Sequence, residues 1–402
     1  MEVFVARQPI FDKRQEVFAY ELLYRDNQKN FYQSVDGDKA SSNVIINSFV
    51  LIGMNTLTGG KKAFINFTEN LIKEEIATIF PKDSLVLEVL ENVVPDDKVI
   101  KACKHMKKMG FTLALDDFIF KPEFEPLLEI ADIVKIDFLN SSPYERAFIV
   151  KKYKGKGIKF LAEKIETQEQ FKEAVRLGYE YFQGFFFSKP VILSAKNIAP
   201  FKLNCIQLIS YINQPEPDFN VIANIVERDL SLSYELLRLI NSVAYSRGNK
   251  ITSIKHALTM LGIEETKKWI ALVALSKIGE DKPQEVMVTC MVRAKFCELL
   301  ATYMGLRDRS SELFMVGLFS MIDVLMNRSL QDILTDLPVS DDIRNALLGG
   351  ESVFSDIHYI VITYESGNWS TVEELLVRSR LDGSTLADIY CKALKWTRQI
   401  SE

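Results

Sequence analysis

Residues 85–138 read LVLEVLENVVPDDKVIKACKHMKKMGFTLALDDFIFKPEFEPLLEIADIVKIDF, and the order of patterns in this stretch decides the fold class. Leu85–Glu91 and Thr112–Phe118 are short apolar runs of strand length. Between them Val99, Ile100, Cys103, Met106 and Met109 share one helical face, while Lys98, Lys101, Lys104, Lys107 and Lys108 take the other. Gly110 ends that helix, and Ile133–Phe138 supplies a further strand. Strands alternating with an amphipathic helix indicate βα units, not a sandwich.

Outward from this stretch, strands are expected at Val3–Arg7, Val17–Arg25, Ala63–Phe67, Lys159–Ile165 and Tyr181–Phe187. Thr167 and Gln170 have the spacing of a capping box at the start of a helix that closes at Gly178. Eight strands with intervening helices predict an α/β fold, a TIM-like (β/α)8 barrel over residues 1–195. Only Phe11–Glu16 separate the first two strands. A parallel crossover needs a dozen residues or more, so the barrel should open with an antiparallel hairpin.

Beyond Pro190 strand patterns stop, and residues 196–402 read as an all-helical domain. Helices are expected at Phe201–Asn213, Val221–Asp229, Tyr234–Ser242, Ser253–Leu261, Glu264–Ser276 and Gln284–Met304, with more toward the C-terminus. Ser253 stands where a helix would be capped and Gly262 where one would stop.

Composition narrows the function classes. Charged residues at 26% and hydrophobic residues at 48% are globular values that exclude disorder and fibrous repeats. Forty-nine basic against 54 acidic residues give a net charge of −5 without a long basic run, which argues against a nucleic-acid polymer as partner. Apolar stretches such as Trp269–Leu275 and Leu313–Ile322 are far shorter than the ~20 residues of a membrane span, so no membrane role is expected. The start MEVFVARQ lacks the basic flank and apolar core of a secretory signal, and the expected location is the cytoplasm. Five scattered cysteines without a CxxC pair fit reduced core thiols, and three distant histidines make no metal site.

The later positions of the expected strands carry Glu21 and Arg25, Asn66, Glu88 and Glu91, Asp116 and Asp117, Lys135 and Asp137, Glu163, and Gln183. In barrels of this class chemistry sits at the C-terminal strand ends. Converging carboxylates repel one another and raise each other's pKa unless cations neutralise them. Oxygen donors without Cys or His point to Mg²⁺ or Mn²⁺. Two such ions ~3.5–4 Å apart clamp both oxygens of an in-line phosphodiester displacement. Arg25 could hold a phosphate oxygen and Lys135 steady the attacking water. Each residue singly also fits a structural ion pair, and Asp116–Asp117, if on a strand, would point to opposite faces.

The segments ARQPI (6–10), YELLYR (20–25), FINF (64–67), LEVLE (87–91), ALDDF (114–118), VKIDF (134–138), AEKIET (162–167) and QGFFFSKP (183–190) resemble the ordered motifs of EAL domains. That resemblance implies hydrolysis of cyclic di-GMP to pGpG with two divalent ions. By position it makes Glu21, Asn66, Glu88, Asp116, Asp117 and Glu163 the metal ligands, with Glu21, Lys135 and Glu163 catalytic. It makes Gln8, Arg25, Asp137 and Gln183 substrate-binding, and Glu91 the anchor of the loop after the paired aspartates. Ile225–Ser246 and Ile251–Leu275 resemble an HDOD domain, an all-helical module, which implies a protein partner; no His-Asp dipeptide occurs in the chain, so HD-type metal hydrolysis is not expected. The EAL resemblance also allows a homodimer.

Two departures bear on activity. Lys164 stands where the family has glycine, and Ile119–Phe124 replaces a glycine-rich loop. Three readings therefore stand open: a cyclic di-GMP phosphodiesterase, a catalytically inactive protein that binds the dinucleotide or serves only as a scaffold, and a barrel hydrolase of another phosphodiester.

Overall fold

The computed structural model describes residues 3–26, 53–118, 122–188, 208–209, 211–212, 217–227, 233–234, 236–238, 251–337 and 339–401. Contacts divide the chain into two compact units. The first comprises Met1–Lys189 with Thr363–Leu376 and Asp382–Cys391; the second comprises Pro190–Ile362 with Val377–Leu381 and Lys392–Glu402. Compactness thus draws two stretches from the far end of the sequence into the barrel unit.

The first unit is a closed barrel of β1 (Val3–Asp12), β2 (Val17–Asp26), β3 (Lys62–Phe67), β4 (Leu85–Val89), β5 (Thr112–Leu115), β6 (Ile133–Asp137), β7 (Lys159–Glu163) and β8 (Tyr181–Gln183), in that order around the ring. β1 runs antiparallel to both β2 and β8, and every other neighbouring pair is parallel. The opening hairpin is therefore as the short Phe11–Glu16 connection requires. Five strands stop earlier than the apolar pattern suggests, β6 at Asp137 and β7 at Glu163 among them. β4 ends at Val89, β5 at Leu115, and Phe185–Ser188 is a 3₁₀ turn instead of strand.

Helices α1 (Asp97–Lys108), α2 (Pro143–Tyr153) and α3 (Gln168–Leu177) follow β4, β6 and β7. In α1, Val99, Cys103 and Met106 are buried with Ala102, and Asp96 caps the helix by accepting from Val99 N at 2.8 Å. The Thr167–Gln170 capping box forms in both directions, and Gly178 closes α3 in the left-handed region.

One layer of side chains fixes what lies above it. Ile10, Ala19, Phe64, Val86, Ala114, Ile133, Leu161 and Tyr181, one from each strand, pack as a cluster inside the barrel. Strand side chains repeat every two residues on a face. The next inward layer toward the C-terminal ends is thus Glu21, Asn66, Glu88, Asp116, Lys135, Glu163 and Gln183, with Gln8 from the reversed β1.

Within this unit, Thr363–Leu376 reaches β1 through Tyr364 and β2 through Gly367, where an added Cβ would lie 2.6 Å from Leu23. The Tyr364 hydroxyl is buried, donates to Val5 O at 3.0 Å and accepts from Val5 N at 3.4 Å. Its ring lies edge-on to Trp369 and tilted against Tyr390.

The second unit is helical. α4 (Ile254–Ile278) is interrupted at Gly262, whose φ of 75° and ψ of 172° no helix holds, so the helix breaks where the glycine is expected to stop it. Ser253 caps it by accepting from His256 N. α5 (Gln284–Tyr303) and α6 (Ser310–Phe319) follow, packed so closely that a Cβ on Gly317 would lie 2.3 Å from Arg293 O. Of the helix expected at Val221–Asp229, Phe219–Glu227 is formed; much of Phe201–Asn213 and Tyr234–Ser242 lies outside the described residues. Cys103, Cys290, Cys297 and Cys391 are buried thiols outside any disulfide. No helix among the described residues is long and apolar enough to cross a membrane.

A candidate active site in the mouth of the barrel

The polar layer closes around Lys135. Its ammonium, 1% exposed, donates to Glu88 Oε1, to Glu163 Oε1 at 2.6 Å and to Asp116 Oδ1 at 2.8 Å, and lies 3.5 Å from Glu21 Oε2. Four carboxylates from four strands or strand ends thus share one cation. Gln183 completes the ring: its Nε2 donates to Glu21 Oε2 at 2.6 Å and to Gln8 Oε1 at 3.1 Å. β1 and β2 set Gln8 opposite Glu21 in register, and β3 and β4 set Asn66 opposite Glu88.

The charge balance is unequal, and protonation tracks it. Burial pushes the Glu88 carboxyl well above its ordinary range, with Lys135 opposing. Burial likewise raises Glu163 to about 8 against the pull of Lys135. At Asp116 burial also raises, but Lys135 outweighs it and the carboxyl falls below its usual value. Burial would lower Lys135, and the surrounding Glu163, Glu21, Glu88 and Asp116 instead hold it well above the usual lysine range.

Asp116 and Asp117 lie just past the end of β5. Asp117 has φ 37°, in the left-handed region. This turn replaces strand alternation, so the two carboxylates do not point to opposite faces: Asp116, Asp117 and Glu163 bring oxygens within 4.8 Å of one another, as do Glu21, Glu88 and Glu163. Phe118 N donates to Lys135 O at 3.0 Å and pins the turn to β6.

Whether cations fit is tested by the buried oxygens that have no partner among the described residues: Asn66 Oδ1, Glu88 Oε2, Asp117 Oδ1, Glu163 Oε2 and Gln183 Oε1. A buried acceptor left unmade is costly, and five gathered at the C-terminal ends of the strands are a donor set waiting for something positive. All are hard oxygens, as Mg²⁺ or Mn²⁺ requires.

Other expected residues are placed differently. Asp137, one layer further out on β6, accepts from Leu139 N (2.7 Å), Asn140 N (3.0 Å), Asn140 Nδ2 (2.7 Å) and Lys164 Nζ (2.6 Å). Both its oxygens are therefore taken up by the turn after β6 and by Lys164. Glu91 is exposed, and residues 119–121 of the loop it would anchor lie outside the described residues, as does the Arg25 side chain. Gly184, beside Gln183, has φ 137° and lies so near the segment after β7 that a Cβ would sit 2.3 Å from Ile165 O. Only glycine lets β8 turn here.

Sequence reading missed the contribution of the far end of the chain. Gln8 Nε2 donates to Ser366 O at 3.4 Å, within the same compact unit. No motif announces this contact, because a backbone carbonyl carries no residue-type signal.

Comparison with known proteins follows the same division. A model of the EAL domain matches residues 50–190, and one of the HDOD domain matches residues 199–339. The chain is 40% identical to the uncharacterized protein YuxH of Bacillus subtilis (strain 168), over 100% of both sequences. It is 31% identical to the cyclic di-GMP phosphodiesterase CdgJ of Vibrio cholerae serotype O1, over 99% of this chain and 93% of that one. Among solved structures, a standalone EAL protein of Vibrio cholerae O395 in its cyclic di-GMP-bound form is 25% identical, covers 47% of this chain and 92% of that chain, and has a TM-score of 0.38. With both domains matched in this order and two relatives aligned along nearly the whole length, the protein belongs to the EAL–HDOD family.

Proposed function

We propose that the protein is a cyclic di-GMP phosphodiesterase that opens one phosphodiester to give linear pGpG, using two divalent ions. The observation that carries this reading is a set of five partnerless buried oxygens at the mouth of a barrel whose carboxylates converge on one lysine. The relative CdgJ, named for that activity, supplies the substrate class. Glu21, Asn66, Glu88, Asp116, Asp117 and Glu163 would hold the ions, Mg²⁺ or Mn²⁺. Bound there, the ions supply charge neutralisation and Lewis-acid activation of the attacking water.

The chain's own residues do the remaining work. Lys135, fixed by four carboxylates, keeps a positive charge at the centre of the ring where negative charge develops on the phosphoryl oxygens. Gln183 gives its amide hydrogens to Glu21 and Gln8, which leaves its partnerless Oε1 to accept from a water and orient it. The apolar floor from Ile10 to Tyr181 bars solvent from beneath. Gln8 and Arg25 are assigned to the nucleotide, with Arg25 on phosphate, and the helical domain to a protein partner.

The test is incubation of the full chain with cyclic di-GMP and Mg²⁺ or Mn²⁺, with pGpG followed by chromatography and Glu21→Gln as control. Product from the unaltered chain and none from the variant supports the reading. Binding in Ca²⁺ without product under Mg²⁺ or Mn²⁺ replaces it with a receptor role. Absence of binding under every ion leaves only protein contact.

A further inference from the structure

Lys164 follows the ligand Glu163 and holds φ 54°, a left-handed backbone that a residue with a Cβ rarely adopts. That turn brings its side chain back across the mouth of the barrel. Nζ lies 2.6 Å from Asp137 Oδ2 and 3.4 Å from Asp117 Oδ2. The Asp137 carboxylate is itself locked by the amides of Leu139 and Asn140, so the ammonium is tethered instead of swinging in solvent. Of the five candidate carboxylate ligands, Asp117 is the one within ion-pair distance of it, and Asp117 is also the one that Lys135 does not reach.

The other oxygen of that carboxylate, Asp117 Oδ1, is buried without a partner, and so is Oε2 of Glu163, whose carboxylate brings an oxygen within 4.8 Å of one of Asp117. Any ion taken by these two oxygens shares the Asp117 carboxylate with the Lys164 ammonium, one on each side. We propose that Lys164 is a built-in cation that makes the two ends of the site unequal. Lys164 lowers the affinity of the Asp116–Asp117–Glu163 end for a divalent ion and, pairing only with Asp117 and Asp137, leaves the Glu21–Asn66–Glu88 end as it is. This rests on the reading of the ring as a two-ion site.

The size of the effect follows from charge. A divalent ion and an ammonium bridged by one carboxylate stand about 5 Å apart, and their repulsion weakens the ion about tenfold even with water-like screening. Because Lys164 is about half exposed, the effect stays near this lower figure and does not approach that of a buried pair. Turnover would then depend steeply on free Mg²⁺ or Mn²⁺, since the weak end must fill before both phosphodiester oxygens are clamped.

The test is titration of the metal-free full chain with Mn²⁺, read by calorimetry and by electron paramagnetic resonance of free Mn²⁺. Lys164→Gln keeps a hydrogen-bond donor of similar reach and removes the charge; Lys164→Gly suits the left-handed backbone and guards against misfolding. The unaltered chain should bind one Mn²⁺ tightly and a second at least tenfold more weakly. Both variants should tighten the second about tenfold and leave the first within about twofold. Adding Asp117→Asn to Lys164→Gln should abolish the gain. Unchanged or weaker second binding in Lys164→Gln overturns the proposal alone and makes Lys164 a tie between Asp117 and Asp137. No Mn²⁺ binding by any form overturns it together with the two-ion reading.

Discussion

Replacing Lys135 by methionine removes the one positive charge that Glu21, Glu88, Asp116 and Glu163 share, in a layer where Lys135 and Glu88 are essentially inaccessible to water. Methionine matches the stem, so packing changes little and the loss is electrostatic. Breaking a buried ion pair by removing one partner typically costs about 3–5 kcal/mol. At roughly 2–4 °C per kcal/mol for a unit of this size, the barrel's melting temperature should fall by about 6–20 °C in EDTA at pH 7.5. Millimolar Mn²⁺ should return most of that loss, because ions on Asn66, Glu88, Asp117 and Glu163 replace the missing charge. The assay is circular dichroism melting of both proteins in EDTA and in Mn²⁺, beside a turnover assay in which Lys135→Met stays inactive even when its stability is restored. A variant that melts within 2 °C of the parent in EDTA would refute the electrostatic account of the ring. A large loss that Mn²⁺ leaves untouched would refute the ring as a cation site.

Further expectations come from single residues. Glu163 is raised to about 8 in the folded protein, so its share of metal-free stability is complete below about pH 4.5 and is lost as pH rises through 8; melts in EDTA should show the barrel weakening over that range, and saturating Mn²⁺ should flatten the slope. His358, in the helical unit, is buried with Nδ1 on Ala346 O and is lowered to about 4 by burial. Its stability contribution is complete above about pH 6.5 and is lost as pH falls toward 4, roughly 3 kcal/mol in all, and denaturant titrations of His358→Leu should lack this dependence. Gly184→Ala should cost several kcal/mol and lower soluble yield, because its Cβ would meet Ile165 backbone atoms at 2.3–2.9 Å. Tyr364→Phe should cost about 1–3 kcal/mol by leaving Val5 N and O without the hydroxyl, and limited proteolysis should show the barrel loosened with it.

Much of this architecture is legible in one dimension because strands impose a period of two. The pairs Ala19/Glu21, Phe64/Asn66, Val86/Glu88, Ala114/Asp116, Ile133/Lys135, Leu161/Glu163 and Tyr181/Gln183 each place an apolar floor residue two positions before a polar one. Any fold that closes these strands in parallel therefore delivers the polar set to one mouth. The spacing does not reveal the pairing within the mouth. Lys135 and Asp137 read as neighbours along β6, yet Lys135 faces four carboxylates while Asp137 serves its own turn and Lys164. Asp116 and Asp117 read as a strand pair facing apart, and a single left-handed torsion at Asp117 turns them together.

Period and residue type in the sequence alone determined the barrel, its reversed first strand, the helical second half, and the oxygen-rich donor set. These are local properties: a strand's two faces, a helix's stripe and a connection too short for a crossover are each decided within a few residues. Tertiary structure alone decided that Lys135 is the shared cation, that Lys164 folds back onto Asp117, and that Ser366 and Tyr364 reach β1 from the far end of the chain. Such contacts depend on torsions and on backbone groups that every residue carries alike, so no pattern of side chains along the chain encodes them.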